Sequence, residues 1–211
     1  MVNRNSRASA PDVATASPTE DRRAQIIRVS AELFAQEGYA NTTVRMIAAR
    51  TGLLSGSLYH HFDSKDAILE EILRAYIFEL VETVQRVVDE TADDPLLGLR
   101  RLILSTTKTI EHHGAAIRIL QNEIATKFLQ DPRFGYLLKQ GDVITAAWTG
   151  VLKTGVAKGV FNPDIDPELV YRFVRDTIWV VARWYRPGSR YTLDVIAEKY
   201  TGIILDGIVP R

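Results

Sequence analysis

The sequence predicts an all-α protein. Its apolar residues recur every three or four positions along almost the whole chain, the spacing of helices with one buried face. No stretch shows the strict alternation of a β-strand, and no internal repeat is visible. A chain of 211 residues with 46% hydrophobic and 25% charged residues is typical of a globular protein, and can form a small domain joined to a larger one.

The N-terminal region predicts three helices. The first is expected over about residues 21–37, where Gly38 can take the left-handed backbone that ends many helices. Thr42 or Thr43 is expected to cap the second helix, which stops at Gly52. A short third helix follows. The side chains expected in the core of the first two helices are Ile26, Ile27, Ser30, Leu33, Phe34, Val44, Ile47 and Ala48.

Longer helices are predicted after this region. Asp63 or Ser64 is expected to cap a long helix, and Pro95 begins another that should end at His113-Gly114. A shorter helix is expected over residues 115–129. The stripe expected to be buried on the long helix consists of Ile68, Leu69, Ile72, Leu73, Tyr76, Ile77, Leu80, Val84 and Val87.

Three further helices complete the predicted chain. One follows Asp131-Pro132 and is expected to reach Gly155, and Asp166-Pro167-Glu168 is a strong helix start. That helix should reach about Tyr185, and Thr192 opens the last one. The buried residues expected on the first of the three are Leu137, Ile144, Trp148, Val151 and Leu152, and those on the last are Leu193, Ile196, Tyr200, Ile203 and Ile204.

The composition excludes several classes of protein. Without cysteine the chain forms no disulfide and has no thiol chemistry, and no apolar run is long enough for a membrane span. Residues 1–20 lack the apolar block of a secretory signal, so we interpret them as a disordered arm and expect a cytoplasmic protein. The formal net charge is +0, and residues 1–65 carry 8 Lys and Arg against 6 Asp and Glu, which indicates at most a local basic patch.

The second helix, the turn at Gly52 and the short helix have the proportions of a helix-turn-helix. Ala48 is small where two helices must cross closely. Ile47, Leu53 and Leu58 can form the shared core. In such a unit the second helix enters the major groove of DNA. The same spacing also fits a helical interaction module that has no role with DNA.

Small and polar groups face outward on the short helix, although helix propensity does not favour them. Three small residues would let its N-terminus approach base edges, and two hydrogen-bonding side chains can donate to phosphates. A cation in the first turn of the next helix would contact the same backbone, and one in the first turn of the preceding helix could reach a guanine edge or a phosphate. The three small residues are Ser55, Gly56 and Ser57, and the two hydrogen-bonding side chains are Tyr59 and His60. The cation of the next helix is Lys65, and that of the preceding helix is Arg45.

The TetR family of bacterial repressors has a DNA-binding module that this chain resembles, without a gap, over roughly residues 25–72. The motifs G-Y-A-N-T-T-V, I-A-A-R-T-G and S-L-Y-H-H-F-D-S-K carry the resemblance. It implies a homodimer on a palindromic double-stranded DNA operator. The implied division is an arm (1–20), a three-helix helix-turn-helix domain (21–66) and a helical effector-binding and dimerisation domain (67–211). The implied DNA contacts are Thr43, Arg45, Ser55, Ser57, Tyr59, His60 and Lys65.

A candidate effector site lies in the helix that begins at Pro167. Arg175, Trp179 and Arg183 are spaced by four residues, as on one helical stripe. Guanidinium groups bind phosphate oxygens in a bidentate fork, so this stripe suits an anionic ligand with a stackable ring. Alternatively, the arginines pair with carboxylates and the tryptophan fills a dimer interface. Gln121, on a shorter helix, faces either the ligand or solvent.

Further motifs extend the resemblance through most of the chain: I-E-H-H, D-P-R-F-G-Y and E-L-V-Y-R-F-V-R-D-T-I-W-V-V-A-R-W-Y-R-P-G. They are similar to actinobacterial family members that repress late cholesterol degradation and are released by a CoA thioester of a steroid ring fragment. This resemblance implies an acyl-CoA effector and no cofactor. A regulator that responds to an unrelated hydrophobic ligand is the alternative.

An enzyme acting on CoA esters is the competing function. The chain lacks cysteine and a G-x-S-x-G nucleophile motif, so no catalytic residue is assigned.

Glu111, His112 and His113 form a weak candidate for a metal site, at what is expected to be a helix C-terminus where positive charge is favourable. We therefore predict no metal.

Overall fold

The computed structural model describes residues 18–123 and 131–210, which form nine α-helices and a 3-10 turn over Pro132–Phe134. No strand occurs in these two ranges, so the all-α prediction is confirmed. The helices are α1 (Pro18–Glu37), α2 (Val44–Thr51), α3 (Ser55–Leu58), α4 (Lys65–Glu90), α5 (Pro95–Lys108), α6 (Ile110–Glu123), α7 (Gly135–Ala157), α8 (Pro167–Trp184) and α9 (Leu193–Ile208).

Local capping chemistry sets the ends of α2. Thr43 is its N-cap and accepts a hydrogen bond from the Met46 amide at 3.2 Å. Gly52 ends the helix with φ of 70°, a left-handed backbone that glycine adopts without strain. Thr42, the other candidate cap, is buried, and its hydroxyl donates to the Gly38 carbonyl at 2.9 Å.

Helix α4 joins the two parts of the molecule. Ser64 caps it by accepting a hydrogen bond from the Ala67 amide at 3.0 Å, and the helix packs against α1, α5, α6 and α7. The predicted domain boundary after residue 66 falls within its first turn, so the two parts share a continuous helix. All nine residues predicted for its buried stripe are buried.

The predicted helix from Pro95 to His113-Gly114 is wrong. Helix α5 ends at Lys108 and α6 begins at Ile110. Thr109 between them keeps helical φ and ψ of −60° and −21°, and its hydroxyl donates to the Thr106 carbonyl at 2.8 Å. Helix α6 then runs through Gly114. Side-chain hydroxyls that bond to nearby carbonyls compete with the helical ladder. Gly114 keeps a negative φ and therefore does not end a helix. The predicted end at residue 129 lies outside the described residues.

Two smaller predictions also need correction. Helix α1 begins at Pro18, so residues 18–20 of the expected disordered arm are helical, while residues 1–17 lie outside the described ranges. Ile203, expected on the buried side of α9, is 67% exposed. Within the described residues, no helix combines the length and apolarity needed to span a bilayer.

Two glycines of α7 provide a matched test of core packing. A Cβ added at Gly155 would overlap the ring of Phe161, which is fully buried, whereas a Cβ at Gly150 meets no atom of the described residues within 4 Å. We expect Gly155→Ala to lower the free energy of unfolding by roughly 1–3 kcal/mol through overpacking. Gly150→Ala should raise it by roughly 0.5–1 kcal/mol, because alanine has the better helix propensity. Chemical denaturation of both variants measures the difference, and equal effects would contradict this packing.

Candidate DNA-binding surface and effector cavity

The outer surface of α2 and α3 carries most of the predicted DNA-binding residues. Behind that surface, the side chains of Ile47 and Leu58 are fully buried and hold the two helices together. Tyr59, just after α3, is 53% exposed. The exposed residues of the predicted set are Thr43, Arg45, Ser55, Gly56, Tyr59 and His60, and Ser57 is half-buried. The structure thus brings these residues together on one small unit.

Lys65 is turned toward the protein. Its ammonium group donates hydrogen bonds to the carbonyl oxygens of Tyr39 at 2.8 Å and Thr42 at 2.7 Å, and lies 4.1 Å from the centre of the Tyr39 ring. These carbonyls belong to the loop between α1 and α2. Lys65 therefore fixes this loop to the start of α4, a role that the sequence did not reveal. Its predicted contact with DNA stays a prediction.

A neighbouring ion pair links the same loop to α7. Asp66 accepts a hydrogen bond from the Tyr39 hydroxyl and lies 2.8 Å from a guanidinium nitrogen of Arg133. Arg133 also pairs with Asp131 at 2.6 Å, and these two carboxylates raise the pKa of its guanidinium above the usual range. Burial and the Asp66 hydrogen bond raise the pKa of the Tyr39 phenol. The turn that begins α7 is therefore anchored to the first turn of α4.

A cavity of about 360 Å³ lies between α4, α7 and α8. Its wall is mostly apolar, and its volume is within the range that small-molecule sites occupy. The residues that line it are Tyr76, Ile77, Leu80, Thr106, Leu120, Leu137, Leu138, Gly141, Asp142, Ile144, Thr145, Trp148, Tyr171, Arg172, Arg175, Ile178 and Trp179.

Arg175 and Trp179, two of the predicted ligand residues, line this cavity. The Arg175 guanidinium lies 5.4 Å from the centre of the Trp179 ring and pairs with Asp176 at 2.8 Å. Both the ligand interpretation and the ion-pair interpretation of Arg175 therefore fit its position. Arg172, which the sequence analysis did not assign to the ligand, adds a second guanidinium to the lining.

Arg183 and Gln121 do not line the cavity. The Arg183 Nε atom donates to the side-chain oxygen of Gln121 at 3.0 Å, and the Gln121 amide donates to the Trp179 carbonyl at 2.8 Å. Each step of four residues rotates a helical position by about 40°, so Arg183 lies about 80° around the helix from Arg175. The predicted three-residue stripe therefore turns away from the cavity, and the ligand roles of Arg183 and Gln121 stay predictions.

Two hydroxyl groups in the cavity wall were missed by the sequence analysis. The Thr106 hydroxyl is buried and has no hydrogen-bond partner among the described residues. Tyr76 is 1% exposed, and burial raises the pKa of its phenol, which a hydrogen bond with Trp179 partly offsets. A buried unpaired hydroxyl is costly unless something fills its hydrogen-bonding capacity, so Thr106 marks a place where a polar ligand atom would be stabilised.

A wider groove of about 1000 Å³ is lined by residues of α1, α4, α6 and the end of α8. Arg118 lies within it and donates to the Ala182 carbonyl at 3.1 Å, and burial together with nearby Arg186 lowers the pKa of its guanidinium. Glu32 and Glu71 line the same groove, so its charges are mixed. The mostly apolar cavity between α4, α7 and α8 is the better candidate for an effector site.

Two family models match the chain. The model of bacterial regulatory proteins of the tetR family covers residues 26–72, and that of the tetracyclin repressor-like C-terminal domain covers residues 92–208. The chain belongs to the TetR family.

Known TetR-family proteins resemble it along almost their full lengths. The HTH-type transcriptional repressor KstR2 of Mycobacterium tuberculosis is 42% identical over 193 residues, which are 92% of this chain and 96% of that protein. KstR2 of Rhodococcus jostii is 40% identical over 198 residues, 94% of this chain and 96% of that protein. The solved structure of the ketosteroid transcriptional regulator KstR2 of Mycobacterium tuberculosis has a TM-score of 0.85 at 42% identity, and the match covers 90% of this chain and 96% of that one. The chain is therefore a TetR-type transcriptional repressor and not an enzyme acting on CoA esters.

His113 of this TetR-family chain contacts side chains of α4. His113 lies 2.8 Å from the Glu79 carboxylate, and its ring is 5.5 Å from that of Tyr76. Together with His112 it lies near the N-terminus of α6, so the predicted favourable interaction with a helix C-terminus is wrong. Among the described residues, no group of three or more His, Cys, Asp or Glu side chains is placed to hold a metal ion.

Replacing Lys65 tests its role in fixing the loop before α2. We expect Lys65→Met to lower the free energy of unfolding by roughly 1.5–3 kcal/mol, because it removes charged hydrogen bonds but keeps the apolar stem. Amide exchange at residues 43–47 should also become faster. Lys139→Met is the matched control, since Lys139 is exposed on α7. Stability and exchange equal to those of the control variant would show that Lys65 does not hold the loop.

Proposed function

We propose that this chain is a homodimeric repressor that binds a palindromic operator and is released by an acyl-CoA thioester from steroid ring catabolism. The observation that carries the proposal is that the single helix α4 runs from the DNA-binding unit to the cavity. Its first turn holds the loop before α2 through Lys65, and three turns later Tyr76 and Ile77 line the apolar cavity. A ligand that shifts this helix would therefore move the surface that faces DNA.

Exposed apolar residues on the last two helices support the dimer. The exposed apolar residues of α8 lie within about 60° of one another around its axis, so they form one face. Helix α9 adds Ile203. Contiguous exposed apolar surface is typical of an interaction site, and a second copy related by a twofold axis would cover it. The exposed residues on α8 are Leu169, Phe173, Val180 and Trp184.

The cavity supports an effector with an apolar part and an anionic part. Its volume of about 360 Å³ suits a fused-ring acyl group, and the Thr106 hydroxyl offers a hydrogen bond to an oxygen on that group. Arg172 and Arg175 in the lining can pair with the phosphates of CoA, and Trp179 offers a face for stacking. KstR2 of Mycobacterium tuberculosis, a relative of known structure, is a ketosteroid transcriptional regulator, which adds a steroid to this chemistry.

Release from DNA requires that the effector bind one dimer geometry more tightly than the other. Arg133 ties the start of α7 to Asp66, so the two cavity walls formed by α4 and α7 reach the DNA-binding unit at one point. A ligand that separates these walls would change the spacing of the two recognition helices. By linkage, operator DNA would then weaken effector binding by the same factor. A TetR-type regulator of an unrelated hydrophobic ligand remains the alternative, and the apolar wall of the cavity is consistent with it.

Tyr59 tests the DNA-binding part of the proposal. We expect Tyr59→Phe to weaken binding to the chain's own promoter fragment by about fivefold per half-site, because one hydrogen bond to a phosphate is lost. Fluorescence anisotropy at fixed salt measures this. The control is Tyr191→Phe, an exposed tyrosine outside α2 and α3. No binding by the unmodified protein at low salt would refute the repressor proposal.

Arg175 tests the effector part. Without effector, Arg175→Gln should bind the promoter fragment as the unmodified protein does, whereas the steroid-ring acyl-CoA concentration needed for release should rise about tenfold or more. Arg100→Gln, an exposed change on α5, is the control. Mass spectrometry of natively purified protein should detect the CoA ester that accompanies it. Release that is equally sensitive in both variants would remove Arg175 from the effector site.

A further inference from the structure

Leu54 is an unusual residue for its position in the fold. It is the N-cap of α3, with φ of −75° and ψ of 144°, and its side chain makes no capping hydrogen bond. Serine, threonine, aspartate and asparagine are preferred at such positions because their oxygens accept hydrogen bonds from the first amides of the helix. A leucine here gives up this stabilisation. A contact of the leucine side chain with something outside the helix explains its presence at this position better than capping does.

The Leu54 side chain is also highly exposed. At 80%, it is the most exposed large apolar side chain among the described residues. The next three, Ile203, Leu169 and Phe173, lie on α8 and α9, where the proposed dimer would cover them. Leu54 instead lies on the surface formed by α2 and α3. The proposed partner of that surface is DNA.

The residues next to Leu54 leave it projecting from this surface. Leu53 packs against the core, so the two consecutive leucines point to opposite environments. Ser55 and Gly56, which follow, are exposed and short, and a Cβ added at Gly56 would meet no atom within 4 Å. Nothing in the described part of the chain therefore shields the Leu54 side chain from an approaching surface.

We propose that Leu54 determines operator specificity by contacting the methyl group of a thymine in the major groove, once in each half-site. The inference rests on the proposed function, in which the N-terminus of α3 faces base edges. The major groove presents hydrogen-bond donors and acceptors at every base pair, and the thymine C5-methyl is the apolar group among them. The charged phosphate oxygens offer a leucine no comparable partner. The apolar side chain thus fits an A·T pair at the position it reaches.

The test removes the methyl groups from the DNA. The chain's own promoter fragment is synthesised with thymine, and again with deoxyuridine at every thymine, which changes only the C5 substituent. We expect the unmodified protein to bind the deoxyuridine fragment about 15-fold more weakly, from about fourfold for each buried methyl and two half-sites. Leu54→Ala should bind the thymine fragment about 15-fold more weakly than the unmodified protein does, and should lose little more on the deoxyuridine fragment.

Two further variants separate base contact from folding. Leu54→Ser supplies the missing cap, so its thermal stability should equal or exceed that of the unmodified protein while its preference for thymine is lost. A structural role for the leucine would predict the opposite change in stability. Leu97→Ala removes an exposed leucine from α5 and should keep the full preference for thymine.

The outcomes distinguish this inference from the function on which it rests. Equal binding of both fragments by the unmodified protein overturns the role of Leu54 and leaves the repressor intact. If Leu54→Ala and Leu54→Ser both keep the preference for the thymine fragment, the role of Leu54 is likewise overturned and the repressor is left intact. If the unmodified protein fails to bind its own promoter fragment at low salt, the proposed function is overturned and the specificity of Leu54 with it.

Discussion

The ammonium group of Lys65 is the contact on which the position of the DNA-binding unit depends. Helices α2 and α3 span only Val44–Thr51 and Ser55–Leu58, and helices this short are not stable on their own in water. Their geometry must therefore come from the elements around them. Lys65 bonds to two carbonyls of the loop that leads into α2, so the start of α4 fixes where α2 begins.

Helices α4 and α7 both help to hold the DNA-binding unit formed by α2 and α3 in place. Tyr76 lies eleven residues beyond Lys65, a rise of about 16 Å along a helix, so in the proposed function α4 would carry the effect of a ligand from the cavity to the DNA-binding unit. The Asp66–Arg133 pair brings α7 to the same place as the Lys65 contacts. Because packed interiors deform little, a ligand bound between α4 and α7 is expected to move each helix as a rigid body and not to bend it. The short DNA-binding helices would follow these shifts.

Much of this fold could be predicted from the sequence where the determinants are local. Thr192 caps its helix as expected, and Thr43 and Ser64 are each one of the two candidates expected for their caps, because a cap depends on a few neighbouring residues. The break at Thr109 was not predicted, since histidine and glycine in the sequence gave a stronger but misleading stop signal. Gly114 is instead accommodated within α6.

The candidate sites, too, could be predicted only where their determinants are local. The chemistry of Arg175 and Trp179 identified part of the cavity wall, because charge and ring are visible in a sequence. The sequence could not show that the Thr106 hydroxyl has no hydrogen-bond partner in the described part of the chain, since that is a property of the packed molecule. Lys65 was assigned to DNA from its charge and position alone. Its contacts with two loop carbonyls depend on residues more than twenty positions away.

The apolar face of α8 has a consequence for genetics. In the proposed dimer, the surface that joins two subunits is far along the chain from the helices that read the operator, so damage to one leaves the other intact. A cell that makes both wild-type chains and chains altered only in α3 would assemble mixed pairs. Each mixed pair would hold one functional subunit in an assembly with half of its recognition surface. Such alleles would be dominant, whereas alleles that destroy α8 would be recessive.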